Sequence, residues 1–164
     1  MGIFQIALIV ATLLCSLVAG FVFAFAVVVM PGIKGLTDRE FIRAFRVMDG
    51  VIQNNQPMFV FVWVGSVVVL VVTAVLGFGE LDGEGRLLMI VATLIYILGV
   101  QVPTFTINVP LNNRLQALDV DAMDDTARKE ARTDFEPRWT RWNSIRTALA
   151  SLVSTLLMIL LLRL

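Results

Sequence analysis

Residues 3 to 30 read IFQIALIVATLLCSLVAGFVFAFAVVVM, a stretch without one charged side chain. As a helix rising 1.5 Å per residue it would span roughly 42 Å, more than the ~30 Å hydrocarbon thickness of a bilayer. A backbone in lipid must satisfy its own hydrogen bonds, so a run of this length and composition reads as a transmembrane helix. A secretory signal would begin with a basic segment, carry a shorter apolar core and end at a small-residue cleavage site. Here the first charge is Lys34, and the segment is read as a retained span.

Working outward, three more runs have the same character: residues 58–78, 87–109 and 139–162. The whole chain of 164 residues is 58% hydrophobic and 16% charged, with mean hydropathy +0.86, far outside the range of soluble domains. The fold expected is all-α: an integral membrane four-helix bundle, one domain over residues 1–164, with the lipid bilayer as its surroundings. A formal net charge of zero and the absence of any long basic run give no reason to expect a nucleic-acid partner. Self-association into a homo-oligomer is left open.

Loop charge gives the orientation, because cytoplasmic loops accumulate Lys and Arg. Lys34, Arg39, Arg43 and Arg46 lie in the first loop; Arg114, Arg128, Lys129, Arg132, Arg138, Arg141 and Arg146 lie in or beside the third. Only Arg86 and Arg163 fall on the other side. Both termini are therefore expected to be extracytoplasmic, in a bacterial plasma membrane.

The first loop has structure of its own. TDRE at 37–40 is a capping box, and Phe41, Phe45, Met48 and Ile52 recur after it at helical spacing, opposite Arg39, Arg43 and Arg46. This predicts an amphipathic helix between spans one and two, lying along the cytoplasmic interface or folded over the mouth of the bundle. The third connection, LDVDAMDDTARKEARTDFEP, is expected to extend span three or form a short surface helix, and GELDGEGR at 79–86 to be a plain turn. Ser16, Gly20 and Ala24 on span one and Ser144, Ala148, Ser151 and Thr155 on span four are small residues of the kind that let membrane helices approach, and the two faces are expected to pack together.

The polar residues inside the spans carry the functional signal. Gln101, Thr104, Asn108 and Asn112 form one stripe on span three, with Pro103 and Pro110 freeing carbonyls nearby. On span four Trp142, Asn143 and Arg146 share a face, with Trp139 a turn earlier. Both stripes rise from the side of the amphipathic helix and can converge on a polar pocket in the cytoplasmic half of the bundle. Arg146 is read as a buried donor bonded to Asn108 or Asn112, against the alternative of an arginine snorkelling to the headgroups beside an interfacial Trp belt.

NVPLNNRLQAL at 108–118, RWTRWNSIRTALA at 138–150 and the early FVFAFAVVVMPGI followed by an amphipathic loop resemble the anthrone oxygenase-like family of small four-span integral membrane proteins. The similarity runs over nearly the whole chain. It implies a four-helix fold and, as in some fungal members, cofactor-independent oxidation of polycyclic anthrones to anthraquinones by dioxygen. The motif positions map onto Asn108, Pro110, Asn112, Asn113, Arg114, Trp142, Asn143 and Arg146.

An oxygenase of that kind needs an acidic C–H bond in its substrate, a base, and donors for the enolate that forms. Asn108, Asn112, Asn143 and Arg146 are the candidate donors, Trp139 and Trp142 the surfaces for a flat lipophilic ligand, and Gln101 and Asn113 further binding residues. Asp49 is the candidate base, although a solvated acid paired with Arg46 or Lys34 is the commoner arrangement for such a position. The chain contains no histidine, which removes a histidine base, a haem imidazole ligand and histidine-containing di-iron or copper sites from consideration. No metal and no cofactor are expected. The single Cys15 allows no intrachain disulfide and reads as a packing residue. No predicted span holds Asp or Glu and no internal repeat is visible, which argues against a transporter. The reading that stands against a ligand site is a non-catalytic accessory or assembly subunit whose polar residues only lock the helices together.

Overall fold

The structure, a computed structural model, describes residues 2–164 and contains five helices. Four are long and apolar enough to cross a membrane: α1 (Ile3–Ile33), α3 (Pro57–Glu80), α4 (Gly83–Gln116) and α5 (Asp125–Leu162). Between the first two lies α2 (Asp38–Gln53). The chain is an integral membrane helical bundle. At 31, 34 and 38 residues, α1, α4 and α5 exceed the ~20 that a bilayer requires.

Local chemistry sets the ends. Thr37 caps α2 reciprocally with Glu40: the Glu40 carboxylate accepts from the Thr37 backbone N–H at 3.0 Å and from its hydroxyl at 2.7 Å. These bonds lower the Glu40 pKa, the hydroxyl's contribution being the largest. The turn into α3 is only three residues long; Asn55 takes φ of 56°, a left-handed conformation that Asn tolerates, and Gln56 caps the next helix through the Phe59 N–H. Between α3 and α4 the connection is Leu81 and Asp82, with Asp82 accepting from the Gly85 N–H at 2.7 Å.

The third connection differs from the expectation. Residues 125–138 neither extend span three nor stand apart; they are the first part of α5, capped by Asp124 through the Ala127 N–H at 2.8 Å. Their polar, helix-favouring composition lets the helix run out of the lipid without a break, and Pro137 is carried inside it.

The small-residue faces are also corrected. Gly20, Ala24, Ser144, Ala148, Ser151 and Thr155 are exposed. The buried stripe of α5 instead runs Phe135, Trp139, Asn143, Arg146, Ala150, Val153, Leu157 and Leu160, in steps of four and three residues that alternate from Trp139 onward. Its part from Ala150 to Leu160 meets Leu8, Ala11, Cys15, Val18, Ala19 and Val22 of α1, among others, in a continuous apolar core. Ser144, Ser151 and Thr155 each follow a buried residue of α5 (Asn143, Ala150 and Ser154), which puts them roughly 100° round the helix from the buried stripe.

α2 folds over the mouth of the bundle. Phe41, Ile42 and Phe45 are buried against Leu111 and Leu115 of α4 and Phe135 and Trp139 of α5. Met48 and Ile52 are half-buried, and Asp49 between them is buried. Arg132 of α5 fixes the start of this lid, donating to the carbonyls of Lys34 and Leu36 and to Asp38, with its guanidinium 4.3 Å from the Phe41 ring centroid. On the outer face Arg43 and Arg39 both bond the carboxylate of Asp121, and these contacts hold it down to about 2.

Candidate functional site

Beneath α2, in the half of the bundle where α1, α3, α4 and α5 meet it, lies a cavity of about 200 Å³. Six aromatic side chains wall it inside the bundle: Phe21 and Phe25 of α1, Phe45 of α2, Phe59 and Trp63 of α3, and Trp139 of α5. They touch one another in sequence, Trp63 stacking on Phe59 at 5.2 Å between centroids, Phe59 meeting Phe21 at 5.2 Å, Phe25 meeting Trp139 at 5.6 Å and Trp139 meeting Phe45 at 5.2 Å. Such rings present flat apolar faces to whatever lies between them. Phe105 and Val109 of α4 and Ile52 of α2 complete the lining, and the exposed Phe105 brings the cavity to the surface of the bundle beside its ring.

Wide helical turns shape the polar wall. α4 contains i→i+5 turns at Ile95–Gln101 and Thr104–Asn108, and the Val109 N–H bonds to Thr104 O. Pro103 and Pro110 lack the N–H of a regular ladder, which favours such adjustments. A turn of more than four residues keeps positions four apart in register, and so Thr104, Asn108 and Asn112 all face the cavity.

Two opposite charges line this space without pairing. Arg146, 4% exposed, donates from Nη1 to Thr104 Oγ1 at 2.7 Å and from Nη2 to Asn143 Oδ1 at 2.9 Å. Among the described residues it makes no ion pair, and its Nε–H has no partner. Asp49, 3% exposed, is held by amides alone: Asn112 at 2.7 Å on one oxygen, Gln53 and Gln116 at 2.9 Å on the other. Asn112 in turn accepts from the Trp139 indole N–H at 2.7 Å, which fixes its orientation. Asn143 donates to the Val22 carbonyl at 2.9 Å, and the Oδ1 of Asn108 is buried without a partner. A buried guanidinium surrounded by neutral acceptors is costly to maintain. The cavity thus brings together an unneutralised cation, a spare acceptor and a carboxylate between aromatic rings.

Of the residues nominated from sequence, Asp49, Arg146, Asn108, Asn112, Trp139 and Asn143 line the cavity. Three do not. Gln101 sits beyond it, accepting from the Trp63 indole N–H at 2.9 Å. Asn113 is exposed, one position round the helix from Asn112, and accepts from Gln53 at 3.0 Å. Trp142 is half-buried at the flank of the α5 stripe and lies outside the lining. The partners expected for Arg146 are corrected as well: Thr104 and Asn143 hold it, not Asn108 or Asn112. Asp49 is no surface acid and pairs with neither Arg46, which bonds the Leu118 carbonyl, nor Lys34. Sequence reasoning missed the aromatic wall of Phe21, Phe25, Phe59 and Trp63. The signal was present as two aromatic pairs at i,i+4, placed at the ends of spans one and two nearest the lid. The described residues contain no group of three or more His, Cys, Asp or Glu able to hold a metal ion.

No curated protein and no solved structure matches the chain. A family model described as Anthrone oxygenase matches residues 51–157, well over half of the chain. That stretch carries Phe59, Trp63, Thr104, Asn108, Asn112, Trp139, Asn143 and Arg146, whereas Asp49 and the α1 wall lie before it. The chain belongs to the anthrone oxygenase family.

Proposed function

We propose that the cavity binds a flat, lipophilic molecule with its carbonyl oxygen directed at Arg146, and that the protein oxidises it with dioxygen and no cofactor. The observation that carries this reading is Arg146 itself, buried without a carboxylate in an aromatic-walled cavity that also holds Asp49. An apolar cavity of ~150 Å³ can hold benzene; with about 200 Å³ inside and an opening beside Phe105, a larger ring system fits partly within the bundle. In an anthrone-like substrate the methylene across the ring from the carbonyl is acidic, because its carbanion is the enolate of that carbonyl. Asp49 takes one methylene proton, and the guanidinium of Arg146 stabilises the charge on the enolate oxygen. The carbanion forms a C–O bond to dioxygen, and Asp49 returns the proton to give a hydroperoxide. Loss of water then removes the second hydrogen and breaks the O–O bond, so one methylene and one dioxygen become one carbonyl and one water.

The cavity lies at the end of the bundle carrying the first and third loops, which we place on the cytoplasmic side of a bacterial plasma membrane from the distribution of Lys and Arg. Reporter fusions at either terminus should then read as extracytoplasmic, and a cytoplasmic C-terminus overturns the assignment.

Binding is tested by tryptophan fluorescence of the protein in lipid nanodiscs titrated with anthraquinone. Variants retaining only Trp63 or only Trp139 should be quenched, while one retaining only Trp142 should respond like free tryptophan in the same lipid. Equal quenching of all three would place the ligand in the lipid and not in the cavity.

A further inference from the structure

A second groove lies on the outside of the bundle, where the end of α4 meets the first half of α5. It encloses about 310 Å³; Leu111, Leu115 and Phe135 lie along its floor, and Arg114, Arg138 and Asp134 stand among its polar residues. Most arginines at this end of the protein are committed. Arg39 and Arg43 hold Asp121, Arg46 bonds the Leu118 carbonyl, Arg128 pairs with Asp125, and Arg132 pairs with Asp38 and Glu136. Arg114, Arg138 and Arg141 are exposed, and among the described residues none of the three bonds to any protein group; Arg114 and Arg138 are the two that line the groove. Arg138 immediately precedes the membrane-facing part of α5, so the pair sits where headgroups meet hydrocarbon. Guanidinium forks match the oxygens of a phosphate, and interfacial cations beside an apolar trough meet both ends of a lipid.

We propose that this groove binds one membrane phospholipid, its phosphodiester between Arg114 and Arg138 and an acyl chain laid over Leu111, Leu115 and Phe135. Two arginines and one aspartate leave a net charge of +1 in the groove, which matches a singly charged phosphodiester better than a multiply phosphorylated headgroup. Asp134 supplies an acceptor for a headgroup ammonium, making phosphatidylethanolamine the preferred occupant. This site is separate from the cavity beneath α2 and does not depend on what that cavity binds.

Native mass spectrometry of the delipidated full chain in detergent tests the assignment, with phosphatidylethanolamine, phosphatidylglycerol and diacylglycerol as probes and inorganic phosphate as competitor. One equivalent of phosphatidylethanolamine should be retained, about tenfold more weakly by the Arg114→Gln, Arg138→Gln double variant. Diacylglycerol should not be retained, and millimolar phosphate should displace nothing. Asp134→Asn should remove the preference over phosphatidylglycerol. Helical circular dichroism confirms that the variants are folded, as expected for substitutions at exposed positions. Unchanged retention by the double variant, or equal retention of diacylglycerol, would refute the phosphate site; displacement by inorganic phosphate would make it an anion site and not a lipid site. Tighter binding of phosphatidylglycerol in the wild type would refute the role given to Asp134.

Discussion

Arg146→Met is expected to lower turnover of an anthrone by about 10²–10³-fold while leaving the protein melting no lower than wild type. The first effect follows from removing the donor that meets developing negative charge, which costs that much when a single oxyanion-stabilising group is deleted. The second follows from the site's own energetics. The guanidinium is buried with no carboxylate beside it, and its bonds go to a hydroxyl and an amide. Replacing a buried ion pair by apolar residues of similar volume is often neutral or stabilising by ~1–4 kcal/mol, whereas removing one partner is costly because it strands the other charge. Among the described residues Arg146 has no such partner to strand. Little is left unsatisfied afterwards. Thr104 Oγ1 and Asn143 Oδ1 each lose a donor, but Thr104 still donates to the Val100 carbonyl at 2.7 Å, Asn143 still donates to Val22, and both residues line the cavity. Arg146→Lys should fall between, since an ammonium retains the charge but not the planar fork. Turnover assays beside thermal melts in the same detergent check both halves. A Met variant that melts well below wild type would mean that Arg146 serves to lock helices together, as in an accessory subunit.

The second large effect belongs to Asp49→Asn, which should lower turnover about 10²–10⁴-fold, the range associated with loss of a general base. Here stability should fall too, by ~1–3 kcal/mol, because a carboxylate accepting from three amides is replaced by a group that must present one N–H₂ to an existing donor. Asn112 cannot turn over to relieve this without giving up its bond to the Trp139 indole. The step that Asp49 performs can be isolated without oxygen. Under anaerobic conditions in deuterated buffer, wild type should exchange the acidic C–H of a bound anthrone, and the variant should bind but not exchange. Exchange at the wild-type rate by Asp49→Asn would assign the base elsewhere.

What the sequence made legible divides by the range of the interaction. The four apolar runs and the reciprocal cap of Thr37 and Glu40 are local signals, and they account for the spans and for α2. The polar stripe from Thr104 to Asn112 and the face shared by Asn143 and Arg146 are also local, since an Asn or Arg inside an apolar helix is conspicuous. The course of residues 125–138 was harder to read: their composition favours helix, but only the break at residues 117–124 decides which span they continue. The aromatic wall was hidden because Phe21, Phe25 and Phe59 sit in apolar runs, where one more phenylalanine looks lipid-facing. The burial of Asp49, nominated as the base, was hidden for a different reason. Its partner Gln53 is a turn away on α2, but Asn112 and Gln116 come from α4, and nothing within the helix itself foretells their arrival. Trp142 shows the limit of face arithmetic, because it lies one residue from the buried Asn143 and still falls outside the cavity.

The central claim is that Arg146 receives the carbonyl oxygen of the ligand. Difference infrared spectroscopy with anthraquinone labelled with ¹³C at the carbonyls tests it most directly, because a hydrogen bond from a guanidinium weakens the C=O bond and lowers its stretching frequency. The wild-type protein should show a bound population with the carbonyl band shifted below its position in lipid alone, and Arg146→Met should show only the unshifted band. The same shifted band in both proteins, or no shifted band in the wild type under conditions where tryptophan quenching shows the ligand bound, would contradict the account.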